Sequence, residues 1–238
     1  MKLINEVGKK YNTTTLKRMR QFYWLIEKGA PLGHQLTWSH YRELLPIKDI
    51  NEIKYYIHIS EEQNLTRDEL KSRIKSDEYN RLPIEFKDKI ISKEELIIKD
   101  FIKNPIIIKN NTNKEIISEK VLHQLILEDL DNFLKELGNS FCYIANEYKI
   151  KIGDNYNYID LLLYNYEFNY FVVVELKVTE LKKEHIGGIE VYMNYIDKTL
   201  RKVTQDKTIG IIICKKDNKF IMEYCSDSRI LAREYQEV

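Results

Sequence analysis

YIDLLLYNYEFNYFVVVELKV, residues 158–178, contains two apolar runs with charges set inside them. IDLLLYN carries Asp160, and FVVVELKV carries Glu175 and Lys177. Both runs are rich in Val, Ile, Leu, Phe and Tyr and read as buried strands. A charge buried in such a run is costly unless it is paired or holds a metal. Glu175 and Lys177 are two apart, so on a strand they point to one face. The polar stretch between the runs can turn at Tyr166–Asn169, setting the strands side by side so that Asp160 reaches that face. Two acids and a lysine converging at a sheet edge suit a hard cation, Mg²⁺ or Mn²⁺. The matching chemistry is metal-assisted hydrolysis of a phosphodiester, with Lys177 orienting or activating the water. An isolated Glu-x-Lys in a strand more often marks an exposed, salt-bridged face. Here Phe171–Val174 precede Glu175 without the alternation of a half-exposed strand, and the upstream acid is equally enclosed. A helical segment follows with Gly187 and Gly188, where a backbone can pass close to the site.

The whole chain has 238 residues, 43% hydrophobic and 32% charged, with net charge +1. That length suits one large domain or two small ones, and the composition excludes a disordered chain. No apolar run approaches the roughly twenty residues of a membrane span. MKLINEVGKK lacks an apolar core of signal-peptide length. Cys142, Cys214 and Cys225 are scattered, with no CxxC, which argues against a disulfide framework or zinc ribbon and for reducing cytoplasm.

Residues 1–90 read as short helices. Residues 1–30 carry seven Lys or Arg against two acids. In TLKRMRQFYWLI, Leu16, Met19, Tyr23 and Ile26 fall at helical spacing, leaving Lys17, Arg18 and Arg20 on the other face. In LTWSHYRELL, Thr37 or Ser39 is the expected cap. LTRDELKSRIKSDEYNRL opens with a capping box, Thr66 and Glu69. Leu65, Leu70 and Ile74 face inward there, and Arg67, Lys71, Arg73 and Lys75 outward. Several short helices with a basic last one suit a helix-turn-helix-like DNA-binding unit, with Arg18, Arg20, Arg67 and Lys71 on phosphates. A packing or homodimerisation module built on Trp38 and Tyr41 is the competing reading. Residues 91–117 read as a linker: Pro83 ends the helical run, Ser92 and Glu95 cap a short helix, and NPIIIKNNTNK is a polar connection. Residues 118–238 change character. SEKVLHQLILEDLDNFLKELG is one long helix stopped by Gly138. Three strands follow, turning at Gly153–Asn155 and Tyr166–Asn169, then the helix HIGGIEVYMNYIDKTLRKV, the apolar strand KTIGIIICKK, and KFIMEYC as a last strand. This order implies an α/β fold, a mixed sheet flanked by helices.

FLKELG, IDLLLYN, VVVELKV, IGGIEVYMNYID and KTIGIIICKK, preceded by LKRMRQFYWL, LTWSHYRELLPIKD and TRDELKSRI, resemble the YhcG-like branch of the PD-(D/E)xK nuclease superfamily over most of the chain. The resemblance implies a restriction-endonuclease-like core behind a small all-α, DNA-binding domain. It implies Asp160 as the metal-binding aspartate, Glu175 as the second acid and Lys177 as the lysine, with the Leu176 carbonyl as a further metal ligand. Relatives often carry Gln in the following helix, in a stretch like GQMQMY, where this chain has Gly188 and Glu190. An acid on the first core helix often completes such sites. That place falls near His123, flanked by Glu119 and Glu128. The implied activity is a Mg-dependent endonuclease acting on nucleic acid, DNA first, in defence, mobile-element maintenance or repair. The alternative is a DNA-binding or assembly protein that keeps the nuclease fold as scaffold, and Glu190 in place of a neutral helper favours it.

Overall fold

A computed structural model describes residues 12–30, 32–33, 35–84, 87, 102–110, 118–138 and 140–238. The backbone forms two compact units, Met1–Arg81 with Ile90–Lys93, and Leu82–Lys89 with Glu94–Val238. The capping box read at Ser92 and Glu95 lies outside the described residues. Among those described, no helix is long and apolar enough to cross a membrane.

The first unit is helical: α1 Thr13–Glu27, α2 Trp38–Leu44, α3 Ile50–Glu62, α4 Arg67–Lys75 and α5 Glu78–Arg81. Short polar side chains start the helices, as their free first-turn amides require. Asn12 accepts from the Thr15 amide at 2.9 Å and Asp49 from the Asn51 amide at 2.8 Å. The Thr66/Glu69 box forms as read, with the Thr66 amide donating to Glu69 at 2.7 Å. Thr37, rather than Ser39, is the cap residue of α2. The core centres on α3, whose Ile53, Tyr55, Tyr56, Ile57 and Ile59 are buried.

Four assignments in this unit are overturned, Met19 and Tyr23 as inward and Arg18 and Arg73 as outward. Met19 and Tyr23 are 41% and 63% exposed, while Leu25 is buried. Phe22 turns the helix, meeting Trp38 and Tyr41 edge-on at 5.6 and 4.8 Å between centroids. Arg18, one turn before Phe22, is therefore half-buried, whereas Lys17 and Arg20 stay exposed. Arg73 is also drawn inward, 3.2 Å from Glu78 and 2.6 Å from Gln63. The buried Glu78 carboxylate, which also accepts from Tyr55 at 2.6 Å, needs a cation beside it.

The second unit holds β1 Ile106–Ile108, α6 Glu119–Glu128, α7 Leu130–Leu137, β2 Phe141–Ile152, β3 Asn155–Asn165, β4 Tyr170–Glu180, α8 Lys183–Thr199, β5 Ile209–Lys216, α9 Lys219–Glu223 and β6 Ile230–Glu237. They build one six-stranded sheet in the order β1-β6-β5-β4-β3-β2. β2, β3 and β4 are an antiparallel meander, and β4, β5, β6 and β1 run parallel. This is the mixed, helix-flanked sheet of a restriction-endonuclease-like fold. One face packs Leu161, Leu163, Val172, Val174, Leu176, Ile211 and Ile213 against Leu122, Leu125, Ile126, Phe133 and Leu137 of α6 and α7. The other packs Ile159, Leu162, Val173 and Ile212 against Ile189, Met193 and Ile196 of α8. The β4 and β5 runs lack polar alternation because helices cover both faces.

Three local expectations fail here. NPIIIKNNTNK is not wholly a connection, because Ile106–Ile108 pair in parallel with Tyr235–Glu237 as an edge strand. The long helix breaks at Asp129, which leaves helical geometry (φ −127°, ψ 47°) and pairs with Lys109 at 2.7 Å. KFIMEYC is not a strand: Asn218 caps it into α9 by accepting from the Ile221 amide at 3.3 Å, and ILAREYQE forms the last strand.

Candidate active site

β3 and β4 pair from Asn165/Tyr170 to Leu161/Val174 and then part. Beyond that point β3 stays with β2, and β4 stays with β5 through Lys177/Cys214. Asp160 stands at the first position inside the fork. With the ladder bond gone, its carboxylate accepts the Leu176 amide at 2.7 Å. That hydrogen bond fixes the acid of β3 against the acid of β4.

Glu175 is 8% exposed, and its Oε1 is buried with no hydrogen-bond partner. The Lys177 ammonium lies 3.4 Å from Glu175 and 3.6 Å from Glu119 at the start of α6. Burial pushes the Glu175 carboxyl up to about 7, and the adjacent Asp160 charge adds to the push. Burial also raises Asp160, against the opposing pull of the Leu176 amide and Lys177. For Lys177, burial pulls down, but the charges of Glu175, Glu119 and Asp160 outweigh it and hold the group above its usual range. Glu175 and Glu119 thus share one ammonium beside half-buried Asp160, and the pocket is short of positive charge. One Glu175 oxygen is left open for a cation. Among the described residues no group of three or more His, Cys, Asp or Glu side chains is placed to hold a metal ion. An all-oxygen pair with open positions suits Mg²⁺, which keeps several waters and takes one or two carboxylates.

Of the accessory acids, the fold brings in Glu119 and leaves Glu128 out; Glu128 is exposed and accepts from Gln124 at 2.8 Å. Glu190 is half-buried on α8, but the ion pairs of Lys177 are with Glu175 and Glu119. His123 approaches Asp160 electrostatically, and its Nε2 is buried without a partner. Gly187 and Gly188 serve no close approach within the protein, since a Cβ at either meets nothing within 4 Å. Tyr192 was not anticipated. Its phenol is raised by burial and by the Glu175 charge, which puts α8 beside the acids. The signal was present in IGGIEVYMNYID, where Tyr192 lies one turn after Gly188. In the first unit, Arg20 and Lys71 are exposed, with the Arg20 guanidinium 5.0 Å from the Trp24 ring centroid. Arg67 is held by Asp68 at 2.9 Å and Glu43 at 3.4 Å.

Residues 99–237 match the family model described as the YhcG PDDEXK nuclease domain, and residues 1–81 match the DUF1016 N-terminal domain. A curated relative from Escherichia coli (strain K12), named "Putative nuclease YhcG", is 24% identical over 138 residues. That match covers 57% of this chain and 37% of the relative, so the chain spans little more than a third of the relative's length. Similar solved structures include a repair endonuclease from Pyrococcus abyssi, 16% identical over 52% of this chain and 49% of that one, with a TM-score of 0.36. A complex of EndoMS with double-stranded DNA is 18% identical over 54% of this chain and 48% of that one, with a TM-score of 0.35. At such scores the fold assignment rests on the strand order and on the family match.

Proposed function

This chain belongs to the family of YhcG PDDEXK nuclease domains, and from that premise we propose that it is a divalent-metal-dependent endonuclease that hydrolyses phosphodiester bonds in DNA. The observation that carries the reading is the forked sheet end, where half-buried Asp160 accepts the Leu176 amide, buried Glu175 shares one ammonium with Glu119, and Glu175 Oε1 has no partner. Asp160, Glu175 and the Leu176 carbonyl would hold Mg²⁺ or Mn²⁺. When bound, the cation supplies Lewis acidity at the phosphoryl oxygen and lowers the pKa of a bound water. Leu176 N–H keeps the Asp160 carboxylate in place. Lys177, held as an ammonium by its acid neighbours, donates to and orients the attacking water rather than taking its proton. Glu119 steadies that ammonium from α6.

Calorimetry with Mg²⁺ and Mn²⁺, paired with cleavage of plasmid, single-stranded, branched and RNA substrates, tests this reading. Asp160→Ala and Glu175→Ala should each lose metal binding and cleavage. Lys177→Ala should lower turnover by about 10²–10⁴-fold at saturating DNA, with little change in affinity. Normal cleavage by both acid variants sinks the site. Wild-type protein that binds DNA yet cuts nothing with either metal moves the chain to the scaffold class.

A further inference from the structure

Past the fork, Tyr148–Ile152 of β2 and Asn155–Ile159 of β3 pair only with each other, as a ribbon turning at Gly153 (φ 61°) and Asp154. One face of this ribbon is covered. Ile150 and Ile159, 1% and 0% exposed, pack in the layer of α8. The register sets Lys149 opposite Tyr158 and Lys151 opposite Tyr156 on the other face. Asp160 comes two residues after Tyr158, where the alternation breaks: Ile159 packs in the α8 layer and Leu161 in the layer of α6 and α7. Tyr156 and Tyr158 are 56% and 52% exposed. The Lys149 ammonium stands 3.8 Å from the Tyr156 ring centroid and that of Lys151 5.9 Å. Along the chain the ribbon carries Asp154 in its turn and follows Glu147, which is in a left-handed conformation at φ 45°.

Two exposed aromatic rings, one of them with two ammoniums over it, suit a polyanion that presents flat π-faces. In a duplex those faces are occupied by neighbouring bases, so stacking on Tyr156 and Tyr158 requires unpaired nucleotides. We propose that the Lys149, Lys151, Tyr156 and Tyr158 face is a binding track for single-stranded nucleic acid that leads the strand to Asp160. Substrates with an unpaired segment beside the cut are then preferred. The preference in cleavage rests on the nuclease reading; the binding does not.

The test uses the full chain with a fluorescein-labelled oligothymidylate and a blunt duplex, by fluorescence anisotropy in EDTA. Tyr156→Ala/Tyr158→Ala should weaken single-strand binding by at least about tenfold and duplex binding by less than about twofold. Tyr156→Phe/Tyr158→Phe should bind as wild type, which separates stacking from loss of fold. Lys149→Gln/Lys151→Gln should flatten the single-strand plot of log affinity against log salt by about 1.4. With Mg²⁺, the alanine pair should erase a preference for forked over blunt substrate. Unchanged single-strand affinity, an equal loss on duplex, or an effect confined to self-association in sedimentation each overturns the track. Wild-type protein that cuts nothing, with the tyrosine effect on binding intact, defeats the nuclease reading and leaves the track standing.

Discussion

Glu175 is costly to place, because its strand offers a carboxylate one ammonium, a second acid and little water. In the folded protein it holds a proton up to about pH 7, against a usual value of 4.5. The folded state therefore binds more protons than the unfolded state between those values. Stability of the metal-free protein should fall as pH rises through that window, and raised Asp160 adds to the loss from its own lower range. Glu175→Gln should match wild type below about pH 4.5 in chelator. It should be more stable above pH 7, by up to roughly 3 kcal/mol from the size of the shift. Mg²⁺ should then raise the melting temperature of wild type at pH 8 and leave the glutamine variant unmoved. Denaturant melts with equal pH slopes for the two proteins would contradict this account of the charge at the fork.

At the scale of elements, the site depends on how α8 lies on β5. A Cβ built on Gly210 would stand 2.6 Å from Met193 Sδ and 2.9 Å from Ile189 Cδ1. Glycine is needed there for packing, since a side chain would lift the helix that carries Tyr192. Gly210→Val should cost about 1–3 kcal/mol in urea unfolding, the usual range for an overfilled core. A valine variant as stable as wild type would mean that helix and strand are not seated so closely. The fork is likewise a property of two elements together. β4 leaves β3 at Val174 yet keeps β5, so Asp160 finds the Leu176 amide through its side chain instead of through the ladder.

On the scale of the whole molecule, the two family matches, 1–81 and 99–237, correspond closely to the two compact units. We propose phosphate contact for the helical unit, with a narrower set of residues than the sequence alone offers. Arg20 and Lys71 point to water, whereas Arg67 is held by two acids and Arg18 is half-buried. Arg20→Ala/Lys71→Ala should flatten the plot of log duplex affinity against log salt by about two, close to one per phosphate contact. Arg67→Ala should change it much less. A double variant with the wild-type slope, together with self-association that depends on Trp38 and Tyr41, would move this unit to the assembly class.

Local features settled what the sequence could determine by itself. The Thr66/Glu69 box, the Gly138 stop and the β2–β3 and β3–β4 turns all act across a few residues, so their signals sit next to each other in the chain. The placing of Asp160, Glu175 and Lys177 in apolar runs was legible for a related reason: a charge in a strand buried on both faces breaks the hydrophobic pattern. Other features arise only when distant segments meet. Ile106–Ile108 is too short to hold a strand on propensity and becomes one because Tyr235–Glu237 offers backbone partners. The facing of α1 follows Phe22 packing on Trp38 and Tyr41, and Arg73 turns inward because Glu78 is buried. Glu119 joins Lys177 through the packing of α6 on the sheet. Burial and charge pairing act through space, and periodicity along a chain records only the part of them that repeats locally.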